Sequence, residues 1–179
     1  REHFDELPDA VQPAFLRICD SVQRLQRMVE ASGQYLRGEA LSFRPVNVQD
    51  VGALLAELAD EFEVKTVNRL NRSEARLDAY WLRVCVRNLL ENAVRHGVRP
   101  VEMQLDNDDD RLLVSVQDAG RGLDRSLNHA VQPFVSCAAS QGLGFGLAVV
   151  HRMVGAMGGR LSYRSNPTRF RVELPGVLR

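Results

Sequence analysis

The sequence predicts a two-layer α/β sandwich, a mixed sheet with helices on one face, preceded by one long helix. Three observations predict it. Several stretches carry apolar residues at helical spacing, others alternate apolar and polar residues, and clusters of glycine, proline, aspartate or asparagine separate the two kinds. Elements interleaved in this way bury their apolar faces as packed layers.

The first element is a helix over residues 11–36, with Phe15, Ile18, Val22, Leu25 and Val29 on one seam and arginine and glutamate between them. A narrow seam on a charged helix fits a coiled-coil or bundle partner. Gly33 and Gly38 weaken its end, and Arg44-Pro45 reads as an extended connector, so a boundary near 41–43 separates residues 1–42 from 43–179. Asn47 is placed to cap a second helix running to about Phe62, with Val51, Leu54, Leu55 and Leu58 on one face. Short strands follow around Lys65 and Ala75. Asp78 then caps a third helix, in which Leu82, Cys85, Val86, Leu89, Leu90 and Ala93 face the core. Gly97 is its expected left-handed terminator. Residues 101–105 and 112–116 alternate like strands, and the acidic run from Asp106 to Asp110 reads as a solvated hairpin loop between them. After Asp118 comes a stretch of about twenty residues with little periodicity. A helix over 144–157 stops at Gly158-Gly159, and strands at 160–164 and 169–174 complete the sandwich.

Composition narrows the chemistry. With 179 residues, 45% apolar and 26% charged, the chain is an ordinary globular protein with room for one substantial core. Lys+Arg and Asp+Glu are 23 each, which argues against nucleic acid as a partner. Lys65 is the only lysine and has no glycine beside it, which excludes a Walker-type phosphate loop. Cys19, Cys85 and Cys137 are odd in number and widely spaced, as expected of reduced, buried, cytosolic thiols and not of a zinc site. No apolar run is long enough to span a bilayer, so no membrane contact is expected of this piece. The chain begins at Arg1, which leads us to expect an excerpt of a longer protein.

Three segments carry the chemistry. Asn88 and Asn92 lie four apart on one face of the third helix, with Glu91 nearby. Asparagine is a poor helix-interior residue, so the pair is either solvated or functional. If functional, Asn92 offers an amide oxygen to Mg²⁺, leaving other positions to phosphate oxygens and water, and Arg95 and His96 lie at the helix end near the phosphates. The second segment, Asp118-Ala-Gly120-Arg-Gly122-Leu123, is either an ordinary turn or a base site. A carboxylate there accepts from the exocyclic amine of adenine, whereas guanine would oppose it with a carbonyl. The third segment, Gly142-Leu143-Gly144-Phe145-Gly146-Leu147, opens a helix with alternating glycines, whose backbone amides make an anion site.

In this order the three segments resemble the N, G1 and G2 boxes of the catalytic domain of bacterial sensor histidine kinases, over residues 43–175. The resemblance implies the Bergerat ATPase fold, with ATP and Mg²⁺ as cofactors. It matches Asn92 to the metal-binding asparagine and Arg95 to the usual lysine, and places Asn88, Glu91, Asn92 and Arg95 in the catalytic set. It turns Asp118 toward adenine, with Gly120, Gly122 and Leu123 beside it, and adds His96, Leu143, Phe145 and Leu147 to the nucleotide contacts. Pro133-Phe134 resembles the F box of the ATP lid, although the arginine that commonly follows the phenylalanine is missing. Thr168-Arg-Phe170 resembles a third glycine box whose glycine has become Pro167.

The related topoisomerase and chaperone ATPases carry a water-activating glutamate four residues before the metal-binding asparagine. Here that position is Asn88, which cannot accept a proton at neutral pH. The resemblance therefore implies a kinase that moves the γ-phosphoryl of ATP to a histidine on an upstream hairpin helix, for relay to the receiver domain of a response regulator. Residues 11–36 resemble the second helix of that dimerising hairpin, which implies a homodimeric parent and the cytoplasmic part of an inner-membrane sensor. The alternatives are an ATP hydrolase of the same superfamily and a degenerate module that only binds nucleotide.

Overall fold

The computed structural model describes residues 43–132 and 146–179. The long first helix and the proposed 1–42 segment lie outside the described residues.

In chain order the elements are β1 (Val46–Val48), α1 (Val51–Asp60), β2 (Lys65–Asn68), β3 (Ala75–Leu77), α2 (Ala79–His96), β4 (Glu102–Asp108), β5 (Arg111–Asp118), α3 (Leu127–Ala130), α4 (Gly146–Ala156), β6 (Arg160–Ser165) and β7 (Thr168–Leu174). Five strands form a mixed sheet in the order β2-β4-β5-β7-β6; β2 and β4 are parallel and the other pairs antiparallel. β1 and β3 make a separate antiparallel pair.

The alternation of each strand decides its two faces. Met103, Leu105, Leu112, Val114, Val116, Leu161, Phe170, Val172 and Leu174 are buried on one side. This side meets α2 and α4 and forms the core. Apart from Leu113, the residues between them are mostly polar, and some bond to one another along the open side: Arg169 Nε donates to Gln117 at 3.0 Å, and Arg171 Nε to Ser115 Oγ at 3.1 Å. Packing of Arg169 against this face, with Arg171 and Arg164 close by, lowers its pKa from the usual arginine value. Helices on one face of a mixed sheet are the predicted two-layer sandwich. Among the described residues no helix is long and apolar enough to cross a membrane.

Some boundaries differ from expectation, each for a physical reason. Asn47 does not cap α1: it sits in β1 opposite Arg76, and Asp50 takes the role, accepting the Ala53 N–H at 2.9 Å. The helix stops at Asp60, before Phe62. The acidic run is not a five-residue loop. β4 continues through Asp108, and only Asp109 and Asp110 turn, with Asp109 in the left-handed region (φ 54°) that aspartate tolerates. A single turn of helix, α3, interrupts the aperiodic stretch, with Arg125 Nη1 and His129 Nε2 2.6 Å apart.

Candidate functional site

α2 carries the first half of the site. Its cap, Asp78, accepts the Trp81 N–H at 3.1 Å with one oxygen and the Arg44 N–H at 2.8 Å with the other, which ties down the incoming chain as well. Leu82, Cys85, Val86, Leu89, Leu90 and Ala93 are buried along one stripe, and this stripe sets the helix rotation. The rotation places Asn88 at the stripe's edge, 6% exposed, where Nδ2 donates to Val84 O at 2.7 Å. The solvated alternative therefore fails for Asn88: its amide is buried and oriented. Asn92, one turn on, is half-buried. Both asparagines meet the first residue of α4. A Cβ built on Gly146 would lie 3.2 Å from Asn88 Oδ1 and 3.7 Å from both amide atoms of Asn92. Glu91 is half-exposed, and Arg95 and His96 are exposed in the last turn, where cations interact well with the helix C-terminus.

Gly97 ends α2, but not in the left-handed conformation expected. Its φ of −80° and ψ of −176° are extended backbone, open to any residue. The requirement is space. A Cβ there would lie 2.4 Å from Ala93 O and 2.6 Å from Asp118 Cγ, so the helix end closes directly on the second half of the site.

Asp118 ends β5 and is 5% exposed. Its Oδ1 accepts the Gly120 N–H at 2.6 Å and the Val98 N–H at 3.3 Å, and the Ala119 N–H donates to Val98 O at 2.8 Å. Amide donors compensate the buried charge and fix its direction. Thr168, opposite Asp118 in the β5–β7 register, donates Oγ1 to Gly120 O at 2.7 Å. Gly122 is left-handed (φ +81°), and the Leu123 N–H donates to Tyr163 Oη at 2.7 Å.

The structure thus groups Asp118, Gly120, Gly122, Leu123 and Thr168 at the sheet end. Asn88, Asn92 and Gly146 gather at the junction of α2 and α4, with Leu147 next in α4, and Gly97 at the end of α2 abuts Asp118. Phe134, Gly142, Leu143, Gly144 and Phe145 lie outside the described residues. Val98 and Tyr163 were not foreseen. Val98 acts through its backbone, which leaves no side-chain signal, and Tyr163 reaches a residue forty positions away.

The donor set limits what a metal would find. Among the described residues there is no group of three or more His, Cys, Asp or Glu placed to hold an ion. A carboxamide oxygen with water and a bound anion suits Mg²⁺, which keeps several non-protein ligands, better than zinc. Cys85 is no nucleophile, since burial pushes its thiol up to about 12.

The pattern of the histidine kinase-, DNA gyrase B-, and HSP90-like ATPase family matches residues 77–177. The chain belongs to this ATPase family. Among its curated relatives is the sensor histidine kinase VxrA of Vibrio cholerae, 37% identical over 98% of this chain. The chain spans only 35% of that relative's length. Two solved structures share the fold: ShkA in complex with AMPPNP (TM-score 0.69, 23% identity, 97% of this chain and 40% of that one) and the histidine kinase AdeS of Acinetobacter baumannii (TM-score 0.65, 20% identity, 94% and 85%).

Proposed function

We propose that the chain is the ATP-binding catalytic part of a two-component sensor histidine kinase, with residues 43–179 as the catalytic domain and 1–42 as part of the dimerisation hairpin. The observation that carries this reading is the buried Asp118 carboxylate. Both backbone donors fall on Oδ1, so Oδ2 serves as the acceptor for an adenine amine. The AMPPNP bound in ShkA and the sensor kinase relatives support the same reading.

When bound, Mg-ATP supplies the phosphoryl group and the metal charge that neutralises it; the protein supplies position. Asp118 selects the base, and Gly120 and Gly122 let the main chain approach it. Asn92 would hold the metal through its amide oxygen. Asn88, pinned through Val84 O, holds the α2 surface against Gly146. Arg95 and His96, exposed in the last turn of α2, would meet the phosphates, and the α4 start would offer backbone amides to them. No described side chain in the Asn88 position can take a proton from water, which favours transfer to a protein histidine over hydrolysis. The acceptor would lie on an upstream hairpin helix of a homodimeric parent, and the phosphoryl group would pass on to a response regulator receiver domain.

The test is phosphoryl transfer from γ-labelled ATP. A longer chain that includes the upstream helix is expected to take up acid-labile label, and this chain alone is not. Label released only as free phosphate by both would favour the hydrolase reading.

A further inference from the structure

The main chain after Asp118 is held from outside by two side chains. Gly120 is fixed on both sides, its N–H on Asp118 Oδ1 and its carbonyl by Thr168 Oγ1. Three residues beyond Gly120, the anchor is Tyr163, which belongs to a different strand. Its ring packs on Phe170 of β7, with centroids 4.9 Å apart and planes at 40°. That packing directs the phenol to the turn, where Oη accepts the Leu123 N–H at 2.7 Å. The fit is close: a Cβ on Gly122 would lie 2.0 Å from Oη, so the left-handed glycine and the phenol define one another's place.

We infer that Tyr163 is a positioning residue of the nucleotide site, setting the Gly120–Leu123 main chain against Asp118 through the Leu123 amide without itself touching the base. The inference rests on the reading of this region as an adenine site. Its physical basis is preorganisation. Gly122 has wide backbone freedom, and without the phenol that freedom would have to be frozen when nucleotide binds, which weakens binding.

Tyr163→Phe deletes one oxygen and keeps the ring on Phe170. In titrations of the whole chain, ATP and ADP should both bind roughly 3- to 10-fold more weakly, as for loss of one hydrogen bond. The factor should be the same for both and unchanged by Mg²⁺, because the defect lies at the base end. A merely structural role would lower the melting temperature without that ligand pattern. In the nucleotide-free protein, exchange of the Leu123 amide should quicken while core strand amides keep their protection. If wild type binds ATP and the variant binds it equally well, Tyr163 has no such role, and the adenine reading stands. If wild type takes up no adenine nucleotide, both fall. Should Tyr163→Phe fail to fold, the wild-type Leu123 amide decides: free exchange there overturns the inference, and protection supports it.

Discussion

Gly97 ends α2 and abuts Asp118, so its substitution reports on helix termination and on the site together. Two explanations of this glycine make opposite forecasts. A left-handed C-cap would accept asparagine better than alanine, because asparagine enters that region readily. The observed extended backbone (φ −80°, ψ −176°) removes that reason, and crowding takes its place. An alanine Cβ would meet Ala93 O at 2.4 Å, Asp118 Cγ at 2.6 Å and Asp118 Cβ at 2.8 Å. Two of these three atoms belong to Asp118, so relief means moving the helix end or the carboxylate. Overpacking of this kind costs about 1–3 kcal/mol. A shift that breaks the Val98 and Ala119 hydrogen bonds would add about 1 kcal/mol for each. For a domain of this size the total corresponds to a melting temperature lower by roughly 10 °C. Thermal unfolding of Gly97→Ala and Gly97→Asn, followed by ATP titration below the transition, is the assay. Asparagine, being larger, should be at least as harmful as alanine, and both should weaken ATP. An asparagine variant milder than alanine, with ATP affinity intact, would refute the crowding explanation.

Other substitutions probe the two halves separately. Asp118→Asn can keep its Oδ1 on the Gly120 and Val98 amides while turning Nδ2 toward the base. Loss of a charged hydrogen bond should weaken ATP about 10- to 100-fold and narrow the ATP over GTP preference in competition titrations. Asn92→Ala replaces a half-buried asparagine by a better helix former, so melting should change little while the Mg²⁺-dependent part of ATP affinity disappears in calorimetry. Cys85, buried and with its thiol raised to about 12, should escape iodoacetamide at pH 8 in the folded protein and react once urea unfolds it, as read by peptide mass.

Much of the layout was legible because it is local. α2 declares itself through an apolar stripe of the right period and an aspartate cap, and the structure places both as read, from Ala79 to His96. The strands read at 112–116 and 169–174 are there in β5 and β7, and Asp118 ends β5 as its place after a strand implied; that Thr168 lies opposite it is shown only by the β5–β7 register. The failures are tertiary. β1 is three residues with an exposed Val46 and carries no alternation to detect; it exists because β3 pairs with it. Spacing alone left Asn88 either solvated or functional, and only the packing of α4 against α2, which encloses it, decides against the solvated reading. Gly97 looked like a turn glycine because its sequence neighbours do not reveal that Asp118 lies against it. Tyr163 sits on an ordinary strand, forty residues from the amide it holds. Roles that pass through the backbone of a distant residue leave no mark at the residue that performs them.

The most direct measurement is calorimetric titration of the whole chain with ATP and with GTP, each in Mg²⁺ and in chelator. Saturable binding of ATP, much weaker binding of GTP, and tightening of ATP by Mg²⁺ are expected from a carboxylate that reads the purine and a carboxamide that meets the metal. Equal heats for both nucleotides, or none for either, would contradict an adenine pocket at Asp118.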